Sequence, residues 1–496
     1  MDDEIQALRQ QSTWTLVPRP ANSNVVGSKW IFRTKFLSDG SIDRFKARLV
    51  AQGYSQIPGF DYNLTFSPVV KATTIRVVLT LAIINRWPLH QLDVKHAFLH
   101  GYLDTPVYME QPPGFVDPIY PHHVCRLQKA IYGLKQAPRA WFLRFSTFLI
   151  QLGFRCSSVD PSLFVFSKGT TLLYLLVYVD DIILTGNDPN LLQTFILRID
   201  REFSIKDLGR LGYFLGLEVS YTSSGLFVGQ AKYARDILSR AGLDEVAPVH
   251  TPLSVSTQLV SGTDAPFSDP TLFRSLVGAI QYLTITRPDI AFAVNSVSQF
   301  LQAPRDEHFK AVKRILRYVK GTIHFGLSIS PSSASATVLG YSDADWASCL
   351  ETRRSTYGYA IFLGGNLVSW SAKKQPTVSR SSCESEYRAL ANTSAEMIWL
   401  SNLLRDLRAS PSTTPLLLCD NNSAIFLAQN PVAHKRAKHI DIDYHFVREL
   451  ISSSKIKIQH VPSSLQLADI FTKSLARPLF EFFRSKRRVI CNPTLA

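Results

Sequence analysis

The sequence predicts a multidomain protein that mixes α+β and α/β architecture. Three observations predict it. The chain has 496 residues, a length that suits two or three domains. It is 46% hydrophobic and 19% charged, which allows several buried cores. Ser/Pro/Thr-rich stretches at 249–270 and 328–336 read as loops, leaving segments of about 1–250, 270–325 and 337–496.

In the first segment, 29–53 reads as a strand, a turn at Asp39-Gly40 and a second strand. Residues 90–101 form a β-prone run followed by a short helix. "TTLLYLLVYVDDIILTG" (170–186) reads as a hairpin with Asp180 and Asp181 at its tip. Residues 232–242 read as a helix stopped by Gly242. In the middle segment, Phe309, Val312, Leu316 and Val319 recur at helical spacing over 306–322. Lys310, Lys313, Arg314, Arg317 and Lys320 populate another face of that helix and favour contact with a phosphate backbone.

The third segment opens with a strand into "GYSDADW" (340–346), then a hairpin over 357–370 with Gly364-Gly365 near its turn. A long helix over 384–407 follows, with Ser381 and Glu384 as a capping box. Next come a strand 416–420, a helix 421–429, a basic loop 434–441, another helix, a strand 455–461 and a last helix near 464–475. That order suits a mixed sheet covered by helices.

The formal net charge is +15, a field that favours polyanions and, among them, nucleic acid. Six scattered cysteines, with no Cys-x-x-Cys pair, fit reduced thiols in an intracellular protein rather than a zinc site. The longest apolar run, Leu172–Val179, is too short for a bilayer, and the acidic start shows no secretory signal. No membrane partner is expected.

Aspartate doublets in turns ordinarily bond local backbone. Asp180 and Asp181 instead sit between strongly apolar flanks, and Asp93 lies in a second apolar run, "LHQLDVKHAF". Three carboxylates on adjacent central strands offer hard oxygen ligands for two Mg²⁺ ions. Two such ions clamp the attacking and leaving oxygens of an in-line phosphoryl displacement.

"YVDD", "LDVKHAFLHG", "KARLVAQGYSQIPGFDYNLTFSPVV" and "KAIYGLKQAPRAWF", in this order, closely resemble the reverse transcriptase of copia-type LTR retrotransposons. The resemblance is dense from about Trp14 to Pro252 and implies a right-hand polymerase of fingers, palm and thumb. It implies that Asp93, Asp180 and Asp181 bind two metals, with Asp181 more peripheral. It places Lys46 and Arg48 at the incoming triphosphate, Phe98 as a steric gate against the ribose 2′-OH, and Gly133 and Gln136 in the floor under nucleotide and template. "YFLGLEV" (213–219), with Gly216, resembles the hairpin that grips the primer.

Acidic residues also punctuate the third segment: Asp343 on a strand, Glu386 on the long helix, Asp420 ending a strand and Asp469 in the late helix. Their order, with "SSCESEYRALA", "LLCDNNSAIFLAQNP" and "HIDIDYHFVRELI", resembles a ribonuclease H-like domain of the same family over about 339–476. Asp345 rivals Asp343, and Glu384 rivals Glu386, although "EYRA" fits the family's pattern at Glu386. The resemblance assigns His460 to proton transfer or product release, and gives Lys435, Arg436 and Lys438 a grip on hybrid backbone.

The implied architecture is fingers and palm over 1–250, thumb and connection over 251–330, a ribonuclease H-like domain over 337–480 and a basic tail over 481–496. The implied function is RNA-directed DNA synthesis coupled to cleavage of RNA in RNA/DNA hybrids. Mg²⁺ would serve as cofactor, two ions per active site, with Mn²⁺ as a substitute. Partners would be RNA template, DNA primer, dNTPs and RNA/DNA hybrid, with protease and integrase segments encoded upstream. The expected location is a cytoplasmic virus-like particle, with the nucleus as alternative. A decayed or host-adopted fragment that binds nucleic acid without polymerase activity is the rival reading.

Overall fold

The computed structural model describes residues 1–36, 41–257, 259–262, 265–331, 337–430 and 441–495. The chain forms two compact units: Met1–Val70 with Pro88–Arg210, and Lys71–Trp87 with Leu211–Ala496. Among the described residues, no helix is long and apolar enough to cross a membrane.

The first unit is built on a six-stranded sheet. Its order is Ile205–Arg210, Leu89–Val94, Asp181–Gly186, Thr171–Tyr178, Leu163–Lys168 and Arg155–Cys156, all antiparallel. Two helices, Ala137–Gln151 and Pro189–Phe203, cover one face. Trp141, Phe145, Phe195 and Phe203 pack there against Leu92, Val94, Ile182 and Leu184. Period-two alternation then puts Asp93 and Asp181 on the opposite face. A four-stranded sheet and the ribbon Ser28–Phe36 with Ile42–Ala51 complete the unit. The ribbon's expected turn at Asp39-Gly40 lies outside the described residues.

The second unit holds two five-stranded sheets. The first orders Asn366–Lys374, Thr356–Leu363, Val338–Ala344, Leu416–Cys419 and Lys457–His460. Its first three strands are antiparallel and the last two join in parallel, with the helix Ser382–Asp406 packed on it. The second sheet runs Tyr213–Phe214, Leu217–Thr222, Gly225–Gly229, Phe325–Ile329 and Val489–Cys491. Helices Ala231–Arg240, Pro270–Leu283, Ala291–Ser298 and Asp306–Gly321 share one core with Phe471, Phe480 and Phe483.

Three expectations change. The segment expected as helix over 464–475 is two short 3₁₀ turns, Ser463–Leu465 and Leu467–Phe471. Ala468, Asp469, Ile470 and Phe471 are all buried, so no one-sided stripe exists to propagate an α-helix. The basic tail expected over 481–496 contains the end of a helix, Arg477–Lys486, and a sheet strand, Val489–Cys491, paired with Phe325–Ile329. Buried Phe480, Phe483 and Val489 anchor it, outweighing the basic residues between them. The segment expected as fingers and palm over 1–250 is divided between the two compact units. Helix Ala72–Ile84 and everything from Leu211 belong to the second unit.

Arg76 explains the placement of that helix. Its side chain is buried, donates from Nε to the Val368 carbonyl at 2.7 Å and from Nη1 to the Ile285 carbonyl at 2.9 Å, and lies 3.7 Å from the Trp370 ring centroid. A buried guanidinium keeps such partners because losing them would strand a charge.

Candidate active sites

In the first unit the hairpin tip behaves as the apolar flanks require. Tyr178 pairs with Asp181, and Asp181 pairs with Asp93 on the neighbouring strand. Val179 holds φ at +54°, an uncommon conformation for a β-branched residue. It is fixed on both sides: the Trp141 indole donates to the Val179 carbonyl at 2.7 Å, and Val94 N–H donates to the Asp180 carbonyl at 2.9 Å. The strained turn is therefore pinned to the sheet and to the core helix, with Asp181 in register with Asp93 and Asp180 next to it in the chain.

A cavity of about 610 Å³ opens beside them. Asp93 and Asp180 line it together with Lys46, Arg48, His96, Tyr132 and Lys206. The Arg48 guanidinium lies 4.5 Å from the Tyr132 ring centroid. Burial, followed by Asp180 and Asp93, pushes the Asp181 carboxyl up to about 6. Burial also raises Asp180, with Asp93 adding repulsion and Arg48 and Lys46 opposing it. Like charges that repel one another across this site favour a bound cation, and an all-carboxylate donor set suits a hard divalent ion.

Phe98, Gly133 and Gln136, the other expected nucleotide contacts, are not among the residues that line this cavity. Phe98 meets Tyr132 edge-on at 5.0 Å, so Tyr132 lines the cavity and Phe98 supports it. Gly133 has φ +93°, and a Cβ there would sit 2.1 Å from the Ala51 carbonyl oxygen. Ala51 N–H donates to the Tyr132 carbonyl at 2.8 Å, so this glycine lets the cavity's back wall meet the ribbon strand. Gln136 is buried, accepts from Gln56 at 2.9 Å and donates to the Asp61 carbonyl at 3.0 Å. Both ends of its amide are spent on the loop 52–62. The sequence reading missed Lys206, which pairs with Asp93 across the sheet edge opposite Asp181. The strand Ile205–Arg210 carries no alternating pattern that would have signalled it.

In the second unit four carboxylates meet from four elements. Asp343 lies near the end of Val338–Ala344, Glu386 in the first turns of Ser382–Asp406, Asp420 just past Leu416–Cys419, and Asp469 in the 3₁₀ turn. Ala344 N–H donates to Glu386 Oε1 at 3.2 Å, Thr472 Oγ1 donates to Asp343, and Ser463 Oγ donates to Asp420 at 2.7 Å. Lys473 Nζ reaches Asp469 Oδ2 at 3.0 Å. Asp469 Oδ1 is buried with no hydrogen-bond partner among the described residues. Burial, then Asp343, pushes the Asp469 carboxyl up to about 7. Burial raises Glu386 well above the carboxylate range, reinforced by Asp343 and Asp420.

Donor atoms of Glu386, Cys419 and Asp420 lie within 4.8 Å of one another. The Cys419 thiol is pushed far up by burial and by Glu386, so it stays protonated and donates to Glu386 Oε2 at 3.8 Å. That leaves an oxygen donor set with one orphaned oxygen, which fits a hard divalent cation. The rivals are occupied. Asp345 accepts from Thr356 N–H at 2.8 Å and Ser348 Oγ at 2.5 Å. Glu384 accepts from Arg380 N–H at 3.0 Å and pairs with Arg388, while Ser381 caps Glu384 N–H, so half of the expected capping box forms. His460 ends its strand, exposed and in register with Cys419, one residue from Asp420.

The basic helix Asp306–Gly321 forms where expected, and its basic residues also have partners within the chain. Arg314 donates to Thr251 Oγ1 at 3.0 Å, Arg317 to the Ala247 carbonyl at 2.8 Å, and Lys320 to the Asp244 carbonyl. Lys310 pairs with Glu307 and Lys313 rests over the Phe309 ring. Three residues of the stripe, Arg314, Arg317 and Lys320, fasten the segment 244–251. Gly216 sits in the turn of the hairpin Tyr213–Phe214 and Leu217–Thr222, at φ +75°. Lys435, Arg436 and Lys438 lie outside the described residues.

Residues 11–255 match the family described as reverse transcriptase (RNA-dependent DNA polymerase). The chain is 48% identical over 487 residues to the retrovirus-related Pol polyprotein from transposon RE1 of Arabidopsis thaliana, covering 98% of this chain and 33% of that protein. It is 33% identical over 309 residues to a putative transposon Ty5-1 protein of Saccharomyces cerevisiae, covering 62% of this chain and 100% of that one. A foamy viral protease-reverse transcriptase solved with an RNA/DNA hybrid superimposes with a TM-score of 0.50 at 11% identity, covering 95% of this chain and 54% of that one. The chain therefore belongs to the reverse transcriptase family, in the copia-type branch of LTR-retrotransposon Pol polyproteins. Its fold is the right-hand polymerase type followed by a ribonuclease H-like mixed-sheet domain. It spans about a third of the length of the Arabidopsis Pol polyproteins it matches.

Proposed function

We propose that the chain is an RNA-directed DNA polymerase that also cleaves the RNA strand of RNA/DNA hybrids. One observation carries the reading: Asp93, Asp180, Lys46 and Arg48 line one cavity, so carboxylates for a cation and cations for a polyphosphate face the same space. Two Mg²⁺ ions per site, or Mn²⁺ in their place, would supply Lewis-acid stabilisation of charge at the transferring phosphoryl group. Asp93, Asp180 and Asp181 would hold them in the first unit, and Asp343, Glu386, Asp420 and Asp469 in the second. Lys46 and Arg48 neutralise the triphosphate of the incoming dNTP. Tyr132, backed by Phe98, bounds the sugar side and disfavours a 2′-OH. In the second unit, cleavage depends on recognising the ribose 2′-OH, which DNA lacks. His460, exposed at the strand end beside Asp420, serves proton transfer or product release.

The net charge of +15 supports RNA template, DNA primer and hybrid as partners. Protease and integrase segments accompany this one in the Pol product, and the site of action is a cytoplasmic virus-like particle.

Primer extension on an RNA template with Mg²⁺ and dNTPs tests the first activity, and release of labelled RNA from a hybrid tests the second. Tight hybrid binding with neither extension nor cleavage refutes the proposal.

A further inference from the structure

Arg487 follows the helix Arg477–Lys486 and has no accessible surface. Its Nη1 donates to the Phe483 carbonyl at 2.6 Å. Nε and Nη2 are buried with no hydrogen-bond partner among the described residues. A stranded buried guanidinium is costly unless nearby groups stabilise its charge. Two aromatic rings lie beside it, Phe471 at 5.0 Å and Phe483 at 5.5 Å; burial lowers its pKa to about 9, and the charges of Asp469 and Asp289 oppose that only in part.

Phe471 links this cation to the carboxylate cluster. It lies two residues beyond Asp469 in the same 3₁₀ turn. On its other side it packs on Gly358, where a Cβ would approach the Phe471 Cβ to 2.4 Å and the Thr472 Cγ2 to 3.1 Å. Gly358 is the cross-strand partner of Asp343, and Thr472 donates to the Asp343 carboxylate. The turn carrying Asp469 is thus held between the sheet at Gly358 and the guanidinium of Arg487.

We propose that Arg487 is a positioning residue of the nuclease site, a buried counter-charge that holds the turn 467–473 so that Asp469 and Thr472 meet Asp343. The C-terminal helix and strand then form part of the nuclease's working structure. The proposal rests on reading the four carboxylates as a ribonuclease H site, and its first test is independent of activity.

In the full-length chain carrying R487M, hydrogen exchange of the amides at 467–473 should quicken about tenfold or more, while those of 386–404 keep their protection. The kcat for hybrid cleavage should fall about tenfold with KM for hybrid within about twofold, and primer extension should be unchanged. R487K, which restores a charge in the same place, should recover cleavage to within about threefold of wild type. Wild-type exchange at 467–473 in R487M overturns the proposal, as does exchange that rises equally over 386–404. Should R487M fail to fold, R487K decides: a loss of about tenfold or more in cleavage overturns the counter-charge role. Absence of hybrid cleavage in the wild-type protein defeats the nuclease reading, while the exchange result still judges the positioning.

Discussion

Asp181 and Asp469 are the residues whose chemistry is most directly testable. Their native pKa values, about 6 and about 7, lie above the ordinary 3.8. Between those limits the folded chain binds more protons than the unfolded chain, so stability contributed by these carboxyls is present at low pH and lost as pH rises through the native values. A divalent cation opposes that loss. The rise in Tm on adding Mg²⁺ to EDTA-treated protein should therefore be larger at about pH 8 than at about pH 5. A pH-independent rise counts against both metal sites. Phe98 makes the second residue-scale prediction. Because it supports Tyr132 edge-on, Phe98→Ala should loosen the sugar wall and raise incorporation of ribonucleotides relative to deoxyribonucleotides by about tenfold. Unchanged sugar selectivity in single-nucleotide extension would remove the gate.

At the scale of elements, the second site depends on a 3₁₀ turn lying close against a strand. At Gly358 the approach is too close for a Cβ, which would sit 2.4 Å from the Phe471 Cβ. Gly358→Ala should push Phe471 and Thr472 away from Asp343 and lower hybrid cleavage by about tenfold or more, since displacements of about 1 Å in a catalytic group are that costly. Primer extension should hold, because Gly358 belongs to the other unit's sheet. Equal loss of both activities would mean a general folding defect. Elements with a clear apolar run or a clear period were legible from sequence. The hairpin Thr171–Tyr178 and Asp181–Gly186 and the helix Asp306–Gly321 appear where the apolar β-prone runs and the helical spacing put them. The turn Leu467–Phe471 and the strand Val489–Cys491 were not legible. One is buried nearly all round and the other is three residues long, so neither carries a period.

Across the whole molecule, the two carboxylate sets belong to different compact units. Asp180→Asn should abolish extension and spare hybrid cleavage, and Asp420→Asn should do the reverse, each by about a hundredfold or more in the affected kcat. Loss of both activities in either variant would contradict separate sites. The sequence by itself determined the family, the order of the seven carboxylates and the strands or helices that carry most of them. Motif order and local periodicity are properties of short windows, and a short window holds them. Tertiary structure alone decided that helix Ala72–Ile84 joins the second unit through Arg76, that Arg314, Arg317 and Lys320 bind the chain's own segment 244–251, and that Arg487 lies buried against the Phe471 ring. Those outcomes depend on which distant backbone carbonyl, ring or carboxylate a long cationic side chain meets once the chain is packed, and no local pattern encodes that partner.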